Sequence, residues 1–210
     1  MIQRNLIHTI INFAENDLSF GLQNDQTNNR VNDVGSGLEK FIKHLFTGSA
    51  EMNEVNLDRI FSHQGEKNHP PDLILRGGDA FEIKKIETPF SDIQLNSSPP
   101  RAKLYVDDPK ITKSCRTCED HDWEEKDLFY VIGHTNNDRV QSIFFVQGSC
   151  IAPPREIYER VSSAIIDAVL TEVDGLEPAE TKELARFNGI DPLRRTKLRV
   201  RGMYLLENPF

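Results

Sequence analysis

Two short apolar stretches, Leu73–Leu75 and Ala80–Ile86, are separated by a turn built on Gly77-Gly78, and this hairpin pattern restricts the fold more than any other part of the chain. Side chains alternate along a strand. Phe81 and Ile83 therefore belong to one face of the second stretch, and Glu82 and Lys84 to the other. Lys85 points away from that pair. The loop decides the register. A two-residue turn at Gly77-Gly78 would set Asp72 opposite Ile83, whereas a three-residue loop, Arg76-Gly77-Gly78, sets it opposite Glu82. Paired glycines accept the positive φ angles that a bulged loop demands. The spacing thus predicts the three-residue register, with Asp72, Glu82 and Lys84 on one face.

Two carboxylates and an ammonium gathered in this way suit a metal-dependent phosphodiesterase. The acids hold Mg²⁺, the ion polarises the phosphate and lowers the pKa of a bound water, and the lysine steadies the nucleophile. The alternative is a surface hairpin carrying ordinary exposed acids. Upstream, Asp33–Phe46 reads as an amphipathic helix with Leu38, Phe41, Ile42 and Leu45 inward. Ser36 followed by Glu39 forms a capping box there; Glu39 equally suits a place beside the metal cluster.

At 210 residues the chain has the length of one α/β domain spanning 1–210. A hydrophobic share of 38% supports a packed core, and no apolar run reaches the roughly 20 residues of a membrane span. Met1–Phe13 reads as a core helix rather than a signal peptide, so the chain reads as cytoplasmic. A net charge of −8 argues against indiscriminate coating of nucleic acid. A local basic strip remains in the C-terminal segment 191–210: Arg194, Arg195, Lys197, Arg199 and Arg201. The same charges would also suit a solvated strand edge. Cys115 and Cys118 with His121 resemble half of a zinc site that needs Cys150 or His134 to complete it; reduced structural cysteines are the alternative.

Other segments have plainer readings. Asn16–Asn32 is loop-rich, Ser91–Pro100 is polar at its centre, and Lys110–Lys126 looks like an exposed insertion. Leu128–Gly133 and Val140–Gln147 read as central strands joined at Asn136-Asn137-Asp138. Pro154 opens a helix through about Thr171 with Ile157, Val161, Ile165 and Val169 inward. A shorter helix fits Pro178–Phe187, and a terminal strand fits Lys197–Leu206.

A helix with Glu39, a strand with Asp72, then Glu82-Ile83-Lys84 and further sheet and helix resembles the PD-(D/E)xK nuclease superfamily. Asp92–Lys103, Trp123–Gly133 and Leu198–Pro209 are similar to type II restriction endonucleases of the NgoPII type, whose members cut GGCC. The resemblance implies a mixed central β-sheet flanked by helices. It also implies a homodimer straddling palindromic double-stranded DNA and a methyltransferase that protects the same site. On this reading Asp72 and Glu82 bind the ion together with the Ile83 carbonyl, Lys84 holds or helps deprotonate the attacking water, and Glu39 assists. Arg199 and Arg201, alternating on one strand face, read guanines; Arg194, Arg195 and Lys197 contact phosphates. Asn96, Ser97, Ser98, Arg101 and Lys103 complete the DNA surface. The rivals are a mismatch-nicking or junction-resolving enzyme, a DNA-binding module without catalysis, and a zinc-stabilised interaction protein.

Overall fold

The computed structural model describes residues 5–15, 30–48, 54–65, 69–88, 90–136 and 139–209, with backbone alone for 30–36. The first half runs α1 (Leu6–Glu15), α2 (Arg30–Thr47), α3 (Glu54–Ile60), β1 (Phe61–Gln64), β2 (Leu73–Leu75), β3 (Ala80–Ile86), β4 (Ile93–Asn96) and β5 (Lys103–Tyr105). The second half runs α4 (Lys113–Arg116), β6 (Glu125–Asn136), β7 (Arg139–Gln147), α5 (Arg155–Glu172), β8 (Glu177–Pro178), β9 (Ala185–Asn188), β10 (Lys197–Val200) and β11 (Tyr204–Leu206).

The expected mixed sheet flanked by helices is present. Its order is β1-β2-β3-β6-β5, with β7 also on β6. All neighbours run antiparallel except β3 and β6, which are parallel from Ala80↔Leu128 to Ile86↔His134. β6 is long enough to pair β5 through Glu125–Asp127 and β7 from Phe129 onward. A strand covered on both faces reads as a near-continuous apolar run, as Leu128–Ile132 does. Odd and even positions feed separate cores. Leu73, Leu75, Phe81 and Val131 meet Leu38, Phe41, Ile42, Leu45 and Phe46 of α2. Phe46 sits edge-on to Phe81, with ring centroids 4.9 Å apart. Ile74, Ala80, Leu128, Tyr130 and Ile132 meet Leu104, Ile111, Cys115 and Trp123 on the other face. Each such fully buried large side chain contributes about 1.5–3 kcal/mol.

Several expectations need correction. α2 begins at Arg30, so Ser36 lies inside the helix and does not cap it. The loop-rich reading of Asn16–Asn32 falls outside the described residues except for its last three, which are helical. α1 is not a core helix: it packs behind α2 through Leu6 and Phe13, leaving Ile7, Ile10 and Ile11 exposed. Lys110–Lys126 is no exposed insertion, because Ile111, Cys115 and Trp123 close the second face of the sheet. Their wide spacing among charges hides the pattern. β7 pairs β6 alone and so is not central. Ile157 and Val161 of α5 face outward, and that helix buries no residue fully.

The C-terminal quarter is more strand-rich than its sequence suggests. Pro178–Phe187 holds parts of β8 and β9 rather than a helix, with Ala185 and Phe187 buried at period two. Lys197–Leu206 divides into β10, which pairs β9, and β11, which pairs β4. The break falls at Gly202, where a Cβ would lie 2.7 Å from the Tyr204 ring. Among the described residues no helix is long and apolar enough to cross a membrane.

A buried ion pair fastens the β2–β3 loop. Lys126 and Glu119 are 2.7 Å apart, with side chains 7% and 2% exposed. Lys126 Nζ also donates to the Gly78 carbonyl at 2.9 Å. Glu119 accepts from the Gly77 amide at 3.0 Å and from the Ser62 hydroxyl at 3.1 Å. Burial alone would raise the Glu119 carboxyl, but the Lys126 hydrogen bond and the Gly77 amide together hold it below its ordinary value of 4.5. Removing one partner leaves the other charge buried and uncompensated. Lys126→Ala should therefore lower stability by about 3–5 kcal/mol in chemical denaturation. The sign for pH follows from the depressed carboxyl: its contribution is full above 4.5 and is lost as pH falls through the folded value. The stability gap between wild type and Glu119→Gln should accordingly close on acidification below that point.

Candidate active site

The hairpin adopts the three-residue register. Leu73 pairs Phe81 and Ile74 pairs Ala80, which carries Asp72 opposite Glu82. Gly77 takes φ +65° at the apex, where a side chain would be strained. The Gly78 amide closes the loop on the Leu75 carbonyl at 2.9 Å. Arg76 braces it from outside, donating to the carbonyls of Asp58 at 2.7 Å and Phe61 at 3.4 Å.

Beyond the end of β2, Asp72 continues on the side chain what the ladder had done on the backbone. Its Oδ2 accepts from the Ile83 amide at 2.6 Å. In an antiparallel ladder one residue directs both its N–H and its C=O to the same neighbour. The Ile83 carbonyl thus lies on the edge that faces Asp72. Lys84 Nζ reaches Glu82 Oε1 at 2.8 Å, and Lys85 turns away to Glu87 at 2.6 Å. Glu39 stands on α2, 2.7 Å from Lys43.

The electrostatics are unbalanced. Asp72 is pushed up to about 7, first by burial, then by the Glu82 charge, with a smaller contribution from Glu39. For Lys84, burial alone would lower the ammonium, but the Glu82 charge and hydrogen bond outweigh it and raise the pKa. Glu82 Oε2 is buried without a hydrogen-bond partner. A buried carboxylate oxygen left unsatisfied is costly, and a second acid beside it adds repulsion. Both defects are relieved by a hard cation seated on oxygen ligands. Asp72, Glu82 and the Ile83 carbonyl thus form a donor set that fits a divalent ion. No group of three or more His, Cys, Asp or Glu among the described residues could hold a metal, so two carboxylates, the carbonyl and solvent would have to suffice.

Among the described residues the zinc candidates Cys115, Cys118 and His121 do not gather into a metal-holding group with each other or with Cys150 or His134. Cys115 is fully buried among apolar side chains, and burial above all pushes its thiol up to about 12, whereas His121 and Cys150 are exposed. The cysteine serves packing.

The basic residues are arranged differently from the expected free strip. Arg199 and Arg201 do not share a strand, since β10 stops at Val200, yet both guanidiniums meet Glu183. Arg201 also reaches the Ser97 hydroxyl at 3.2 Å. Arg194 pairs with Glu177 at 2.6 Å, while Arg195 and Lys197 are exposed. Arg101 pairs with Asp108 at 2.7 Å, and Lys103 pairs with Glu125. Asn96 and Ser98 are exposed at the end of β4, Asn96 with φ +53°. Ser97, Arg101, Lys103, Arg201 and Tyr204 line a cleft of about 770 Å³.

Sequence reasoning missed three participants. Tyr130 accepts from the Arg101 amide at 2.8 Å, and its phenol is pushed up to about 12, chiefly by burial. It stands beside Glu82 through the parallel β3–β6 register, which no local pattern in the sequence signals. Lys110 enters the cleft wall and donates to the Ser97 carbonyl at 3.1 Å. Glu183 had no local signal, because its partners lie 16 and 18 residues away.

The chain matches the sequence model of the NgoPII restriction endonuclease family over residues 4–210. It is 42% identical over 211 residues to the type II restriction enzyme NgoPII of Neisseria gonorrhoeae, an alignment covering 98% of this chain and 75% of that enzyme. No solved structure matches.

Because the folded pKa of Asp72 lies above its ordinary 3.8, its ionisation opposes folding as pH rises from 3.8 through about 7. Asp72→Asn removes that burden. In metal-free buffer at pH 8 the variant should melt no lower than wild type, and adding Mg²⁺ or Ca²⁺ should raise the melting temperature of wild type alone.

Proposed function

The chain belongs to the NgoPII restriction endonuclease family, and from that premise we propose a Mg²⁺-dependent hydrolysis of double-stranded DNA at a short GC-rich palindrome such as GGCC. Its enzyme class is that of a type II restriction endonuclease. The observation that carries the catalytic assignment is the pairing of Asp72 with the Ile83 amide, beside a Glu82 whose Oε2 has no partner.

Asp72, Glu82 and the Ile83 carbonyl would hold the ion. When bound, Mg²⁺ supplies Lewis-acid polarisation of the phosphate and a more acidic water. The protein's own groups supply orientation and charge. Lys84, held beside Glu82 by a 2.8 Å contact, would hold or help deprotonate the attacking water and offset the negative charge that grows on the phosphate. The Glu39 charge reaches Asp72, and Glu39 would assist through a bound water or a second ion. The water oxygen forms a new P–O bond as the P–O bond to the leaving sugar oxygen breaks in line; the water gives up its proton with the help of Lys84 and solvent, and the leaving oxygen takes one from solvent. The Asp72–Ile83 bond keeps the end of β2 from drifting away from β3 during that step.

Recognition is assigned to the cleft and to the C-terminal segment 191–210, within one nuclease domain spanning 1–210. Arg199 and Arg201 would fork onto guanine O6 and N7 in the major groove. Arg194, Arg195 and Lys197 suit phosphates, and Asn96, Ser97, Ser98, Arg101 and Lys103 border the path of the duplex. Palindromic DNA calls for a two-fold homodimer, each subunit cutting one strand. A methyltransferase acting on the same site, without a stable complex, would protect the DNA of a prokaryotic host, and the enzyme would work in its cytoplasm.

Two measurements test this reading. Plasmid cut in Mg²⁺ should give discrete double-strand breaks whose sequenced ends share one palindrome; nicked or scattered products would point to a different nuclease. Lys84→Ala, Asp72→Ala and Glu82→Ala should each lose about 10²–10³-fold or more in cleavage rate, yet bind the cognate duplex in Ca²⁺. Near-normal cleavage by Asp72→Ala or Lys84→Ala would overturn the site.

A further inference from the structure

Glu183 precedes β9 and faces two arginines that come from farther along the chain. Its Oε1 accepts from Arg199 Nη2 at 2.6 Å and its Oε2 accepts from Arg199 Nε at 2.8 Å, while Arg201 Nε stands 2.9 Å from Oε1 as an ion pair. Arg201 spends a further donor on the Ser97 hydroxyl. The carboxylate is recessed, with its side chain 15% exposed, while the Arg199 and Arg201 side chains are 60% and 54% exposed. The Arg199 hydrogen bonds, more than its charge, hold the Glu183 carboxyl below the ordinary carboxylate range.

A guanidinium carries five N–H donors in a rigid plane. Glu183 occupies two on Arg199 and pairs with Arg201 by charge, and Ser97 takes one donor of Arg201, which leaves each arginine enough donors to grip guanine O6 and N7 without breaking these contacts. An unrestrained arginine must give up its rotamer freedom at the moment of reading, and it can fork onto a phosphate as readily as onto a base. A shared carboxylate removes the first cost by fixing both planes beforehand. It also opposes the second tendency, because a negative charge behind the forks weakens indiscriminate attraction to the DNA backbone.

We infer that Glu183 is a specificity-positioning residue: one carboxylate that pre-orients Arg199 and Arg201 as a pair of guanine-reading forks and suppresses their use on arbitrary phosphates. The inference rests on the proposed role of those two arginines. It assigns Glu183 no contact with DNA and no part in the chemistry.

The test measures binding in Ca²⁺, without turnover, to three duplexes: the cleaved palindrome, the same duplex with one G·C pair changed to A·T, and a random sequence. Wild type is compared with Glu183→Ala, Glu183→Gln, Arg199→Ala and Arg201→Ala. In Glu183→Ala the preference for the palindrome over the single-pair variant should fall about tenfold, while affinity for the random duplex is unchanged or higher. Glu183→Gln keeps the shape and one acceptor, so it should fall between wild type and Glu183→Ala in preference. A Glu183→Ala protein that loses affinity for all three duplexes in proportion would mark a merely structural residue and overturn the inference. If the arginine variants lose discrimination while Glu183→Ala retains it, the inference alone fails. If the arginine variants retain it too, their assignment as base readers is wrong and the inference falls with it.

Discussion

The register between β2 and β3 governs the candidate site, because shifting it by one residue would turn Asp72 away from Glu82 and onto the face packed against α2. A three-residue loop with Gly77 at positive φ sets that register locally. The loop is then held from below by a carboxylate and an ammonium that have almost no access to water. Glu119 receives the Gly77 amide, and Lys126 reaches the Gly78 carbonyl, so both ends of the apex are tied to one buried pair. Such a pair is a poor source of net stability, since desolvation consumes most of its Coulombic gain. Its value here is geometric: it disfavours slipped pairings that would leave either charge unmatched.

The site makes the opposite bargain. Asp72 and Glu82 are brought together with too little positive charge, and Glu82 Oε2 has no donor. Lys84 neutralises part of the excess and no more. Strain of this kind persists only where the surrounding fold is strong enough to impose it. Here the surroundings are Phe46 and Phe81 on one side of the sheet, and Leu128, Tyr130 and Ile132 on the other. The aromatic and aliphatic packing fixes the strands; the strands then hold the carboxylates in a place they would not choose in isolation.

Much of this was legible because it is local. The strand limits of β2 and β3, the loop length and the buried face of α2 all follow from patterns spanning fewer than about ten residues. Leu128–Gly133 was readable for the same reason. What escaped was non-local. Ile111, Cys115 and Trp123 are scattered among charges, so nothing in a short window marks Lys110–Lys126 as the cover of a core. Ala185 and Phe187 show strand alternation only once β10 is placed beside them. Tyr130 becomes a neighbour of Glu82 through a parallel pairing that no periodicity encodes. The arginines were noticed as charges, but their geometry depended on Glu183, which the sequence places far from both.

That parallel pairing has a consequence for how the enzyme comes into being. All of the candidate metal-binding atoms lie between Asp72 and Ile83 and take their register from the hairpin, yet the strand that flanks β3 and carries the Lys126 anchor of its loop arrives only with β6. Contacts that span so much intervening chain form late, after costly loop closure. A ribosome-bound fragment ending before β6 carries every candidate ligand and lacks both the strand beside β3 and the lysine that ties down the hairpin loop. For a nuclease, the order of synthesis itself delays a cutting-competent site until the fold is nearly whole.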